Sequence, residues 1–151
     1  MDYLAWGVNY PSLIIASFLS ATVLPGGSEV VFTAMIHQGY APAELILVAG
    51  TANTAGGMTN FFIARMGKEE WLSRYLGIKP KTVQRMQGYV QRHGAFLAFF
   101  TWMPWVGDAL AASLGFFRAP LTPVILWMWI GKLIRYFALW LAVKGILQWW
   151  F

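Results

Sequence analysis

Long apolar stretches alternate with short polar breaks along this chain, and the breaks recur in a repeated order. Residues 3–28 and 45–64 carry no charge, and 94–117 and 119–143 are apolar with a few charges. About 20 apolar residues in a helix cross a bilayer, so the pattern predicts membrane helices. The first stretch reaches Leu24 and meets Pro25-Gly26-Gly27-Ser28-Glu29. Proline removes a donor and glycines loosen the helix, so the chain should turn there. Residues 30–36 are apolar but too short to cross, and Gly39 and Pro42 follow. The pattern predicts a re-entrant helical hairpin over 11–37 that turns at 25–28 and leaves the membrane on the side it entered. Such broken backbone is tolerated only where it is buried in protein or lines a watery cavity. Residues 43–64 should then cross fully.

The second half repeats the plan. Residues 94–117 are broken at Met103-Pro104-Trp105-Val106-Gly107-Asp108, and 121–143 should cross. Pro25 is followed four residues later by Glu29, and Pro104 four residues later by Asp108. Gly56 stands in the same relation to Asn60 as Gly131 does to Arg135. One full crossing between the repeats gives them opposite orientation, the plan of many secondary transporters. The expected fold is an all-α integral membrane protein of one membrane domain. Two inverted repeats, 10–65 and 94–145, each place a re-entrant hairpin before a transmembrane helix. A basic amphipathic segment, 66–93, joins them.

In that segment Trp71, Leu72, Tyr75 and Leu76 have helical spacing, with Gly77 and Pro80 as stops. A second amphipathic stretch sets Val83, Met86 and Val90 on one side, apart from Lys81, Arg85 and Arg92. Both read as short helices on the membrane surface. Composition agrees with a membrane chain: 58% of the 151 residues are hydrophobic and 11% charged, against about a quarter charged in soluble domains. The net charge of +5 gathers in Arg65, Lys68, Arg74, Lys79, Lys81, Arg85 and Arg92. That cluster reads as the positive-inside signal rather than as a nucleic-acid surface, which makes 65–92 cytoplasmic and places both termini opposite. Anionic lipids would hold the segment to the surface. Residues 1–3 lack a basic signal region, so the first stretch is expected to be retained.

Without cysteine there is no disulfide, thiolate metal site or thiol nucleophile. His37 and His93 form no ligand pattern, and no phosphate loop, zinc motif or nucleophile elbow occurs. No metal or cofactor is expected, and the chain does not read as an enzyme. The informative residues are acids and cations inside apolar sequence, which face a cavity or a partner by default. Glu29 and Asp108 each stand beside a helix break. They are candidate coupling or gating acids, or caps of half-helices. Lys132 and Arg135, three residues apart near mid-segment, share a helix face. They would pair with Glu29 or Asp108 or hold an anionic substrate; Lys144, at the segment's end, should snorkel. Pro25, Gly26, Gly27 and Ser28, with Pro104 and Gly107, form the turns. Gly50, Asn53, Gly57 and Asn60, with Gly56 and Thr59 nearby, make a stripe suited to helix packing. Asn53 and Asn60 could also line a polar path. Most Trp residues read as an interfacial belt; Trp102 and Trp105 flank Pro104 and would shape a cavity.

In order, Ser17-Phe18-Leu19-Ser20-Ala21-Thr22, Leu24-Pro25-Gly26-Gly27-Ser28-Glu29, Asn53 and Gly56-Gly57-Met58-Thr59-Asn60 resemble the DedA superfamily, whose shared region is the VTT or SNARE-associated domain. Arg65, Arg92-His93-Gly94, Trp102-Met103-Pro104, Gly107-Asp108, Gly115 and Gly131-Lys132-Leu133-Ile134-Arg135-Tyr136 complete the resemblance, which covers about 17–136 and points to the short YqaA-type branch. It implies two facing re-entrant hairpins and movement of phospholipids or polyprenyl phosphate across a membrane, in some members with proton coupling. It places a functional acid at Glu29 and arginines around the second hairpin. This sequence departs there, with Thr101 and Gly107 where larger members carry arginine, and Lys132 and Arg135 as the available substitutes. Membrane lipids are the expected partners and the bacterial inner membrane the expected location. A homo-oligomer stays open. The alternative is a non-transporting membrane protein that supports the envelope by binding lipids or proteins.

Overall fold

The computed structural model describes residues 8–22, 26–68, 70, 74, 77, 79–104 and 106–150, except the side chains of Leu147 and Trp150. Among them there is helix and no strand. The helices are α1 (Tyr10–Ser20), α2 (Gly27–His37), α3 (Pro42–Arg65), α4 (Pro80–His93), a 3-10 helix (Gly94–Trp102), α5 (Val106–Phe116) and α6 (Leu121–Trp150). The expected helix around Trp71, Leu72, Tyr75 and Leu76 lies outside the described residues, as do Pro25 and Trp105.

Local sequence explains the boundaries. Asn9 and Ser12 form a reciprocal capping box that starts α1, with Pro11 in its first turn. Gly26, at φ 97, supplies the left-handed turn into α2. At 11 residues each, α1 and α2 are about 16 Å long, roughly half a hydrocarbon core. They pack on each other. Ser28 at the start of α2 bonds Ser20 at the end of α1. Leu13 lies with Phe32 and Met35 in one cluster, so the pair is a helical hairpin.

The end of α2 and the end of α5 carry the same device. Tyr40 N–H donates to Met35 O and Gly39 N–H to Ile36 O; Ala119 N–H donates to Leu114 O and Arg118 N–H to Gly115 O. Both are Schellman turns. Gly39 takes the left-handed position in the first (φ 86), and Arg118 takes it in the second (φ 55).

Among the described residues one helix is long and apolar enough to cross a membrane, α6 from Leu121 to Ile146. It outruns the expected 121–143. The other expected crossing, 43–64, coincides with α3. At 24 residues α3 is about 36 Å long and has the reach. Its Gly, Thr and Asn residues leave it below that apolarity.

The chain divides into two compact units, Met1–Gly56 with Lys132–Phe151, and Gly57–Gly131. The first has a core of Leu13, Phe32, Met35, Leu45, Ala49 and Tyr136. Its α1 meets α3 at Gly56, where a Cβ would overlap the Phe18 carbonyl oxygen. The second has a core of Met58, Phe61, Ala98, Ala111, Leu114, Ala119, Val124 and Met128. There the 3-10 helix meets α6 at Gly131, where a Cβ would overlap the Phe99 carbonyl oxygen.

The arm before Pro104 is a nine-residue 3-10 helix rather than an α-helix. Such length is uncommon. Residues three apart eclipse in this geometry, and the Phe96 and Phe99 rings stack at 8°. The Thr101 hydroxyl donates to Ala98 O, also three residues back. In α4, Val83 is buried and Val90 packs on the second unit's core, while Met86 is 42% exposed. The expected single apolar face is therefore two: Val83 and Val90 turn to the protein and Met86 does not.

Candidate functional site

Consecutive residues of α6 grip consecutive residues of α2. Arg135 forms an ion pair with Glu29, through a guanidinium N–H donating to Oε1. Next to it the Tyr136 hydroxyl donates to Ser28 Oγ at 2.9 Å, and Ser28 donates to Ser20 Oγ at 3.2 Å. The neutral rung is closed, with Tyr136 and Ser28 fully buried. The charged rung is open on one side: the Glu29 side chain is 43% exposed and Arg135 16%. Glu29 sits in the first turn of α2, where the orphan N–H groups of the helix end favour a carboxylate. Arg135, from α6, is bonded to it.

Asn53 ties two more helices to this ladder. Its amide nitrogen donates to Ser17 O at 2.9 Å and to Tyr136 Oη at 3.3 Å, linking α3 to α1 and α6. Its Oδ1 and the Ser17 hydroxyl are buried without a partner among the described residues. Gly50, one turn before it, is where a Cβ would run into Leu133. Asn53 and Gly50 thus both stand at close contacts between helices.

Glu29 also lines an open groove of about 450 Å³ with Val30, Thr33, Ala34 and His37. At the opposite end of the hairpin the Tyr10 hydroxyl donates to Glu44 Oε2 at 2.6 Å. That bond to the carboxylate pushes its phenol up from the usual value. The other sequence candidates of this unit are Gly26, the left-handed residue before α2; Gly27, its first residue; Gly56, seated on Phe18; and Lys132, which is buried at 2% exposure. A buried ammonium mid-helix cannot snorkel, so inward placement is the outcome for Lys132. Lys144 lies over the Trp140 ring at 5.5 Å.

In the second unit Asp108 is half-buried in the first turn of α5. Pro104 accepts from Val106 N–H at 2.8 Å, closing the turn. Gly107 is buried, and a Cβ on it would overlap the Thr101 carbonyl oxygen. The backbone of Thr101 therefore leaves no room for a side chain at Gly107. The indole N–H of half-buried Trp102 has no partner among the described residues. Gly57 meets Met128, and Asn60 is half-buried on α3. Arg65 donates to Ala119 O at 3.1 Å and covers the Phe61 ring, so it fastens the end of α3 to the turn after α5. No group of three or more His, Cys, Asp or Glu suited to a metal occurs among the described residues.

Sequence reasoning did not single out Tyr136 and Ser17. Tyr136 sits one residue beyond Arg135 in an apolar run, where hydropathy alone makes it a belt or core residue. The adjacency of Ser28 to Glu29 and of Tyr136 to Arg135 was the available signal.

Over 140 residues the chain is 39% identical to the inner membrane protein YqaA of Escherichia coli strain K12, a match that takes in 92% of this chain and 94% of that one. The chain belongs to the YqaA family of membrane proteins. An uncharacterised protein of Haemophilus influenzae is 34% identical over 137 residues, covering 84% of this chain and 82% of that one. The membrane protein YkoX of Bacillus subtilis is 27% identical over 107 residues, 68% of this chain and 48% of the relative. No family model and no solved structure matches the chain. For a membrane protein of the YqaA family, an ion pair at a helix break is the feature that needs a functional account.

Proposed function

We propose that this YqaA-family chain is a DedA-type lipid transporter, a flippase or scramblase for phospholipid or polyprenyl phosphate in the bacterial inner membrane. The observation that carries this is the Glu29–Arg135 pair, set at a helix break and open to a groove. Charge in hydrocarbon is costly and is kept where it handles charge. Arginine's planar fork suits a phosphate. When a phosphate takes Arg135, the Glu29 carboxylate is left behind and must be neutralised, and a proton serves. Transport and proton uptake are then coupled at one pair. Asp108 and Lys132 are proposed as the second acid and cation, and no chemical catalysis is assigned.

The inverted-repeat plan is part of this proposal. Support comes from the two Schellman turns after α2 and α5, and from Gly56 and Gly131, each seated on a carbonyl of the first arm of a hairpin. Re-entry of both hairpins and a cytoplasmic 65–92 complete it.

The test is reconstitution into liposomes with lipids labelled on an acyl chain, followed by chemical quenching of the outer leaflet. Wild-type protein should move lipid, and Arg135→Leu and Glu29→Gln should not while remaining folded. Wild-type rates equal to protein-free liposomes overturn transport and favour the alternative, a membrane protein that supports the envelope by binding.

A further inference from the structure

The surface of α4 falls into sectors of different chemistry. At about 100° per residue, Lys81, Arg85 and Arg92 point within about 40° of one another. All three are exposed. They stand roughly opposite Val83 and Val90, the pair turned to the protein. Of the two flanks between, one carries Gln84, Gln87 and Gln91, and the other carries Met86, Tyr89 and His93. Tyr89 is 63% exposed, and its ring lies against His93 with centroids 5.2 Å apart. Along that flank Arg85, Met86, Tyr89 and Val90 border a shallow groove with apolar walls. Residues 71–107 hold five Lys and Arg and no acid. The helix runs without a linker into the 3-10 helix, whose Phe96 and Leu97 are also exposed.

We propose that this edge of α4 is a docking surface for anionic phospholipid in the leaflet beside it. A helix surrounded by water has no use for one apolar flank and one glutamine flank. At a bilayer surface the two have different neighbours: hydrocarbon covers Met86 and Tyr89, and the glutamines stay in water. That orientation carries Lys81, Arg85 and Arg92 sideways from the protein, at the level of the lipid phosphates. Each cation there gains from a negatively charged leaflet, and no acid in 71–107 competes for it. An acidic protein or a nucleic acid would meet the cations and leave Met86 and Tyr89 bare, so lipid fits both parts of the surface. The contact also reaches deeper into the second unit. Val90 packs on its core, and at the end of α4 a Cβ on Gly94 would lie 3.3 Å from the Leu114 side chain of α5. Docking here does not require that the chain move lipid, and it uses neither Glu29 nor Arg135.

The test is hydrogen exchange of the full-length protein in nanodiscs, one set of phosphatidylcholine alone and one of phosphatidylcholine and phosphatidylglycerol in equal parts. Amides of α4 should exchange about tenfold more slowly in the anionic discs, and high salt should shrink the difference. Arg85→Gln with Arg92→Gln should abolish it. Met86→Ser with Tyr89→Ser keeps every cation and should still reduce it severalfold. All four side chains are exposed, so both variants should fold. Equal exchange in the two kinds of disc, or a difference that survives Arg85→Gln with Arg92→Gln, overturns the proposal. A difference untouched by Met86→Ser with Tyr89→Ser also overturns it, because charge alone would then explain the contact. Protection that appears in phosphatidylcholine discs on adding RNA or a second copy of the chain, with no response to phosphatidylglycerol, assigns the face to that partner instead.

Discussion

Removing either member of the Glu29–Arg135 pair should lower the stability of the folded protein, and the two losses should be unequal. Removing one partner of a fully buried pair costs about 3–5 kcal/mol, whereas an exposed pair is worth about 0–1 kcal/mol. This pair lies between those limits, with Arg135 at 16% and Glu29 at 43% exposure. Arg135→Leu orphans the more exposed partner. A carboxyl can also shed its charge by taking a proton, so the loss should be about 1–2 kcal/mol. Glu29→Leu orphans the more buried partner, and a guanidinium cannot shed its charge. That loss should be about 2–3 kcal/mol. Arg135→Leu with Glu29→Leu removes both charges and should recover most of the stability but none of the transport. The assay is a double-mutant cycle on unfolding in detergent, followed by fluorescence-detected size-exclusion chromatography. Effects that add within about 0.5 kcal/mol would mean that the two residues do not act as a pair. Equal single losses would refute the argument from exposure.

Gly56→Ala should cost about 3 kcal/mol or more, because its Cβ meets backbone at Phe18, while Gly57→Ala should cost about 1 kcal/mol because the flexible Met128 side chain can yield; equal melting of the two variants would contradict this. Tyr136→Phe should cost about 1 kcal/mol, since Ser28 keeps Ser20 and Asn53 keeps Ser17 as partners; a loss beyond about 3 kcal/mol in the same melts would show a larger role for the hydroxyl. Arg118→Gly should stabilise the protein by about 0.5–1 kcal/mol, because glycine takes the left-handed position without strain; a lower melting point would assign the arginine side chain a structural partner. A reporter fused after Gly77 should be cytoplasmic and one at Phe151 outside; finding both on one side would remove the inverted-repeat plan.

The breaks were legible because Pro, Gly and an acid interrupt apolar sequence, and few other arrangements accommodate that in a membrane. Hairpin arms of half-span length followed from the same punctuation. The partner of Arg135 was narrowed to Glu29 or Asp108 and no further, since hydropathy carries no long-range pairing. The 3-10 arm was not legible. The stacking of Phe96 on Phe99 follows from that geometry rather than causing it, and the approach of Gly107 to the Thr101 carbonyl is a contact across the break that hydropathy does not report. Met86 was placed with Val83 and Val90 by spacing, yet at three residues from Val83 it stands about 60° round the helix, enough to carry it off the buried face. The departures at Thr101 and Gly107 looked like two independent losses of charge. At Gly107 the backbone gives a reason, because a side chain there and the Thr101 carbonyl would occupy the same space.

The ladder between α2 and α6 divides two tasks between neighbouring residues. A hairpin held only by Glu29–Arg135 would lose its attachment whenever the pair opened to a ligand. The Tyr136–Ser28 rung does not have that weakness, because it is neutral and buried and has no reason to respond to a phosphate or a proton. It can hold α2 in register while the charged rung one residue away exchanges partners. Asn53 extends the hold to α1, so both arms of the hairpin are fastened independently of charge. On this reasoning Tyr136→Phe combined with Arg135→Leu should be worse than the sum of the two, because together they remove both the charged tie at Glu29 and the neutral tie at Ser28.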